Sequence, residues 1–413
     1  MMTNKQDYYE ALNQITQPIR ASQWKFTLEP MQALLAKLNL TYPAFETVLV
    51  AGSIGKGSMS WEIAQRLQSA GLNVSLFISP HLHLFRERFH VNGAMISHEA
   101  FTALAQETIH AAKTLPYHFS TFEYATAIAC LWFSANSVDY AVFECGLGGR
   151  FDATNAISHH TSVLMTVELE HRAILGGDLT QIAQHKTGII TEGGQVFTVP
   201  QASEVMDAII TECDHKQATL TVTPSDEIAR ALLSQLHLPV EPARLKTNLP
   251  ARLEWVAHGQ QTWLIDGGHT PQSAVHLRKT LIAWKQQHPH MTLCLMISML
   301  RDKAPDLYLN ELLDLVDHVI TVSLPVERAF SASDLCAYLP SSMLCTTLAD
   351  VQQAVQTAEA MTSDLVVVCG SFRLAGRVRE ILSLLTPEEL EEAQHTRLMF
   401  EGTDYQTRWK EGK

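Results

Sequence analysis

Lys56 stands between two glycines in AGSIGKGS (51–58), and a lysine in a glycine-rich turn is suited to holding phosphate. Backbone N–H groups around Gly52, Ser53, Gly55 and Gly57 can approach an anion closely. Lys56 would bring positive charge to β- and γ-phosphates, and the Ser58 hydroxyl could reach Mg²⁺. The spacing departs from G-x-x-x-x-G-K-[ST]: Val50 stands where that pattern has its first Gly, and Gly57 where it has Ser or Thr. Taken alone, the stretch reads equally as a nucleotide loop or as an ordinary strand–helix turn.

Other stretches carry related chemistry. Glu144 closes an apolar run in AVFECGLGGRFDATN (141–155), just before Gly146, Gly148 and Gly149. A carboxylate at a strand end beside a phosphate loop suits Mg²⁺, a hard ion that prefers oxygen. Asp152 and Asn155 can bind ligand or close Asx turns. His171, after VELE, is readable as a second metal ligand or as a structural histidine. Lys186, in AQHKTGII, can snorkel to solvent; partly buried, it could lose its proton and take up CO₂ as a carbamate.

The loop ISPHLHLFRERFHVNG (78–93) offers Ser79, Pro80, His81, Arg86 and Arg88 for substrate recognition, or forms a solvated charged loop. Near the second half, Arg252 of PARLEW and Asp266 and His269 of LIDGGHTP can grip a nucleotide. Arginine neutralises phosphate and aspartate holds ribose hydroxyls. A plain turn before a helix capped at Thr270 accounts for DGGHTP as well. VCGSFRLAGRVRE (368–380) reads as packing.

These groups need elements to position them. ETVLVAG reads as a buried strand, and Ser58 as the cap of a helix with Trp61, Ala64 and Leu67 on its apolar face. NVSLFIS (73–79), DYAVFECG (139–146), TSVLMTV (161–167), QVFTVP (195–200) and ATLTV (218–222) read as strands. SHEAFTALAQETIHAAK (97–113) and TQIAQHKTGII (180–190) read as helices between them. Such alternation predicts a mostly parallel sheet covered by helices, with ligands at the strands' carboxyl ends.

Periodicity lapses over 245–251, which reads as a linker at 247–251. RLEWVAH and QTWLIDG then suggest a hairpin, and MTLCLMIS, HVITVSL and LVVVCG alternate with helices. The expected architecture is α/β: a P-loop, mostly parallel-sheet domain over 1–246 and a smaller Rossmann-like α/β domain over 252–413. The charged tail after 387 reads as peripheral.

Composition bounds the function. At 413 residues, 46% hydrophobic and 18% charged, the chain suits two or three packed α/β units. A formal charge of −13 argues against a general nucleic-acid or acidic-membrane binder. Seven cysteines without a C-x-x-C pair read as reduced thiols of a cytoplasmic protein. No apolar leader and no run of 18 apolar residues is present in the sequence given, so a soluble protein without membrane contact is expected.

Taken in order, the stretches resemble the folylpolyglutamate synthase/dihydrofolate synthase family of the Mur-ligase superfamily, over Leu28 to Arg377. LEPMQALLAKL resembles the family's helix before the first strand. AGSIGKGS resembles its AGTNGKGS, the loop at 78–93 its TSPHL and RERI segments, and ECGLGGRFDATN its E.GLGGRLDATN. VELEH, HKTGII, PARLE and DGGHTP resemble its L-D-H, EKAGII, PGRLE and DGAHNP segments. The resemblance implies an ATP-dependent, ADP-forming ligase that joins L-glutamate to dihydropteroate or folate through an acyl phosphate. It implies that Lys56 and the loop bind ATP, and that Ser58, Glu144 and His171 hold two Mg²⁺ ions. It further implies a carbamylated Lys186, nucleotide contacts from Arg252, Asp266 and His269, and a monomer.

Departures mark a divergent member. Ile54 replaces Asn, Glu168 and Glu170 replace Gly and Asp, and His185 and Thr187 replace Glu and Ala. Thr270 replaces Asn, and Ala251 replaces Gly. Two alternatives follow: a ligase for a non-pterin acid, or a nucleotide- or folate-binding protein without turnover.

Overall fold

The computed structural model describes residues 5–17, 27–240 and 249–401. Thr247 and Asn248 of the expected linker, and the tail beyond 401, lie outside them. The described parts of Met1–Lys246 and His395–Lys413 make one compact unit, and those of Thr247–Gln394 the other.

The first unit holds β1 (Glu46–Ala51), β2 (Val74–Phe77), β3 (Phe89–Val91), β4 (Ala94–Met95), β5 (Tyr140–Glu144), β6 (Thr161–Leu164), β7 (Gln195–Thr198) and β8 (Thr219–Val222). They form one sheet in the order β4-β3-β2-β5-β1-β6-β7-β8. Only the β2–β3 and β3–β4 pairings are antiparallel. β1 is central and buried beyond its first residue, which is why its sequence is a continuous apolar run without alternation. Helix Lys56–Ser69 joins β1 to β2, and helices His98–Lys113 and Thr121–Ala135 lie in succession between β4 and β5. Ser97 and Ser120 cap the latter two by accepting from Ala100 and Glu123 N–H.

The second unit holds β9 (Glu254–His258), β10 (Gln261–Ile265), β11 (Leu293–Ile297), β12 (His318–Val322), β13 (Cys345–Leu348) and β14 (Leu365–Cys369). The sheet order is β13-β12-β11-β14-β10-β9, parallel except for the β9–β10 hairpin. The α/β class with two mainly parallel sheets is therefore observed. DLYLNELLDLV forms no continuous helix: it gives Pro305–Asn310 and then a short 3₁₀ turn at Leu313–Leu315. All seven cysteines are free thiols. Among the described residues no helix is long and apolar enough to cross a membrane.

Candidate active site

Three strand ends open on one turn. In β1 and β5, Val50 lies opposite Glu144, and on the other side Ala51 of β1 lies opposite Leu164 of β6. The chain leaves β1 through Gly52, at φ +143°, where an added Cβ would meet Met165 Cβ at 2.7 Å. Gly55, at φ +83°, then caps helix Lys56–Ser69 with no side-chain hydrogen bond. The expected cap at Ser58 is corrected here. The turn tightens three residues earlier through the left-handed Gly55, which leaves Ser58 exposed within the first turn. Without a side-chain cap, the first-turn N–H groups and the positive helix end face outward, the arrangement that receives anions.

Glu144 is buried against this turn: a Cβ on Gly57 would lie 3.2 Å from its Oε2. The same oxygen accepts from Ser79 N–H at 2.8 Å. The backbones of Ser53 and Ile54 donate to Thr166 O at 2.7 and 3.2 Å, and Ser53 Oγ accepts from Glu168 N–H at 2.9 Å.

Lys186 lies beneath the loop. It is 1% exposed, and its Nζ donates to Gly52 O and Glu170 Oε1, each at 2.8 Å. Burial works against ionising Glu170, but Lys186 and Lys56 outweigh it and hold the carboxyl at about 2. His171 adopts φ +46° at the start of helix Arg172–Leu175, with Nε2 4.0 Å from Glu170 Oε2. The glycine loop after β5 packs on the helix Leu179–Thr187: Arg150 N–H donates to His185 O at 2.7 Å. A Cβ on Gly149 would meet Lys186 O at 2.7 Å. Asp152 accepts from Leu147 N–H and from Thr154 N–H and Oγ1, and Asn155 donates to Arg150 O and Gly188 O. These last two side chains fasten the loop on which they stand.

The loop after β2 is built around Glu87. Its carboxylate accepts N–H groups of Leu82, His83 and Leu84 at 2.6, 3.1 and 3.0 Å. Arg86 is buried and donates to Ile96 O at 2.7 Å. Arg88 Nε donates to His81 Nδ1 at 3.0 Å and its guanidinium lies 5.0 Å from the Phe85 ring centroid. Burial first, and then Arg88, keep the His81 imidazole neutral. Ser79 is joined to Pro80 by a cis peptide.

In the second unit, Asp266 is buried and accepts from Gly268 N–H at 2.8 Å and Leu253 N–H at 3.1 Å. Gly267 N–H donates to Ala251 O at 2.8 Å, so PARLE and DGGH form one knot. Arg252 lies over the Phe372 ring at 4.3 Å, and a Cβ on Gly267 would strike that ring at 2.3 Å. His269 is kept neutral by burial and by Lys303. Thr270 caps helix Pro271–Gln287 by accepting from Ser273 N–H.

Residues 251–372 match the family model "Mur ligase, glutamate ligase domain". The chain is 28% identical to the dihydrofolate synthase/folylpolyglutamate synthase of Bacillus subtilis (strain 168), over 87% of this chain and 96% of the relative. It is 28% identical to the Escherichia coli (strain K12) enzyme of the same name, over 86% and 91%. The solved structure of E. coli FolC in complex with DHPP and ADP superposes at TM-score 0.81, with 25% identity, covering 93% of this chain and 98% of that one. Over most of its length the chain is similar to folylpolyglutamate synthases/dihydrofolate synthases. A Yersinia pestis bifunctional folylpolyglutamate synthase/dihydrofolate synthase complexed with AMPPNP and Mn ion superposes at TM-score 0.80, 25% identical, over 92% and 98%.

That likeness supports a ligase. Its donor set fits the divalent ion the family implies. Among the described residues no three His, Cys, Asp or Glu side chains are grouped to hold a metal by themselves. Mg²⁺ keeps waters and phosphate oxygens and takes one or two carboxylates from protein. The buried Glu144 beside the open helix end is such a carboxylate. Sequence reasoning gave Glu87 and Phe372 no role, and marked Glu170 as a departure without its pairing to Lys186. Glu87 accepts from the N–H of Leu84 as the acidic half of a capping box does, but Leu84 has no side-chain acceptor to mark that motif in the sequence. The pairings of Glu170 and Phe372 had no readable signal, because the partners are distant in sequence.

Proposed function

We propose that the chain is an ATP-dependent, ADP-forming ligase that adds L-glutamate to dihydropteroate, to folate, or to both. The observation that carries this reading is the uncapped end of helix Lys56–Ser69, with Lys56 in its first turn and buried Glu144 beside Gly57. Lys56 and the amides at the helix start, Gly55 to Ser58, bind the triphosphate, with Gly52 and Ser53 shaping the turn. Ser58 and Glu144 hold one Mg²⁺, and Glu144 and His171 a second; when bound, these ions neutralise phosphate charge. Within the second unit, Arg252, Asp266 and His269 are the candidates for a nucleotide contact, and the Phe372 ring lies 4.3 Å from the Arg252 guanidinium. Ser79, Pro80, His81 and Arg88 receive the acceptor acid, while Arg86, Asp152 and Asn155 shape the loops that present it.

The acceptor carboxylate oxygen attacks the γ-phosphorus and ADP leaves, giving an acyl phosphate. The amine of L-glutamate then attacks the acyl carbon, and phosphate departs as the tetrahedral intermediate collapses. Lys186 acts here as an ammonium that fixes Gly52. The carbamate that the family resemblance implies would need the neutral amine; burial lowers the Lys186 amine toward that form, and the Glu170 ion pair works the other way.

The test is mass spectrometry of products from ATP, Mg²⁺ and L-glutamate with dihydropteroate, tetrahydrofolate or no acceptor. One glutamyl unit on dihydropteroate establishes dihydrofolate synthase activity, and successive units on the folate establish polyglutamylation. No mass gain on either, beside a working control enzyme, overturns the reading.

A further inference from the structure

The helix Pro387–Glu401 lies beyond both Arg377, where the family resemblance ends, and residue 372, where the family-model match ends. Its last described turn nonetheless reaches the acceptor loop. The Phe400 ring runs nearly parallel to that of Phe85, at 8° and 6.0 Å between centroids. It also meets the His81 ring edge-on at 5.1 Å and 62°. One turn earlier His395 stacks on Tyr9 at 4.2 Å and 16°, Thr396 is buried, and Met399 packs on the core of the first unit. The helix end is thus seated at several points.

The four side chains close a circuit. Arg88 donates to His81, His81 and Phe85 touch, Arg88 lies against Phe85, and Phe400 touches both rings. Three members come from the loop, and Phe400 arrives from more than 300 residues along the chain. Two neighbouring charged groups already serve the loop itself: Arg86 holds Ile96 O, and Glu87 gathers three N–H groups. His81 and Arg88 are both half-buried, joined by a hydrogen bond and walled by aromatic rings. A hydrogen bond to a ring nitrogen fixes direction only while the ring cannot turn, and Phe400 is the wall that blocks His81 from outside the loop.

We propose that Phe400 is a positioning residue for the acceptor acid: it holds the His81–Arg88 pair in the orientation from which the loop grips the pteroyl substrate. The C-terminal helix is then a working part of the acceptor site. The proposal rests on the ligase reading given above.

Steady-state kinetics of the full-length protein test it, with wild type, Phe400→Ala, Phe400→Leu and Phe400→Trp compared on whichever acceptor the wild type uses. Loss of one aromatic contact predicts a rise in acceptor KM of roughly 3- to 10-fold for the Ala and Leu variants. KM for ATP and kcat should stay within about twofold, and Trp should restore acceptor KM. Equilibrium binding of the acceptor to each variant reads the same shift without turnover. If Ala fails to fold, Leu decides, since it keeps the apolar bulk and removes the ring. An unchanged acceptor KM in Leu, or a parallel rise in KM for ATP, overturns the proposal. A wild type that extends neither acceptor overturns the ligase reading and this proposal together, whereas an active wild type with indifferent variants overturns this proposal alone.

Discussion

Lys186 and Glu170 form an ion pair at 2.8 Å, and the same ammonium donates to the Gly52 carbonyl 134 residues away. One buried charge therefore ties the glycine turn after β1 to the segment that carries His171. Lys186 is 1% exposed and the Glu170 side chain 27%, so the lysine depends on its partner more than the glutamate does.

Replacing Glu170 with Gln should strand that ammonium. Breaking a fully buried pair costs roughly 3–5 kcal/mol, and the partial exposure of Glu170 brings the expectation to about 2–3 kcal/mol. Urea unfolding at pH 7 measures it. The Lys186→Met/Glu170→Leu double variant should lose less stability than the two single losses summed, and a simple sum would show the pair to be uncoupled.

Gly52→Ala combines a left-handed backbone with a Cβ placed 2.7 Å from Met165 Cβ. Strain and overpacking together should cost about 2–4 kcal/mol. Nucleotide affinity should fall as well, because the carbonyl that Lys186 holds belongs to this residue. Calorimetry with ADP on the folded fraction separates the two effects, and unchanged affinity would mean that the turn does not receive phosphate.

Glu87→Gln removes a charge that three N–H groups address, leaving only one amide oxygen to accept them. The loss should be about 1.5–3 kcal/mol, read as a lower thermal midpoint. Acceptor KM should rise while KM for ATP holds, because the disturbed loop carries His81 and Arg88 and not the phosphate turn.

Glu168 gives a pH signature. Burial, reinforced by Glu170, raises its carboxyl from 4.5 to about 7. The folded state thus binds a proton more readily than the unfolded chain. The associated stability is fully present below pH 4.5 and is lost as pH rises through about 7. Glu168→Gln should therefore leave the melting temperature little changed near pH 5 and raise it above pH 7. A variant that gains as much at pH 5 as at pH 8 would place the cause elsewhere.

Much of the candidate site was legible because its parts are local. A lysine between glycines, a carboxylate closing an apolar strand and an arginine before a hairpin are adjacencies along the chain. β1 was readable from its β-branched run, and the loop after it from glycine spacing. The start of helix Lys56–Ser69 was not, since Ser58 is a good cap by type while Gly55 does the work by its left-handed backbone. Arg86 and Arg88, alike on paper, part company in the fold. Arg86 reaches Ile96 O and is buried, and Arg88 reaches His81.

By itself the sequence determined two α/β units, the order of the motifs and the chemical type of each group. Local propensity and hydrophobic period act over a few residues and survive without a fold. Only the tertiary structure decided which groups meet. Parallel strand register set Val50 beside Glu144, crossover packing brought Lys186 under Gly52, and the last helix laid Phe400 against His81. Those pairings depend on burial and direction across long loops, and spacing along a chain carries neither.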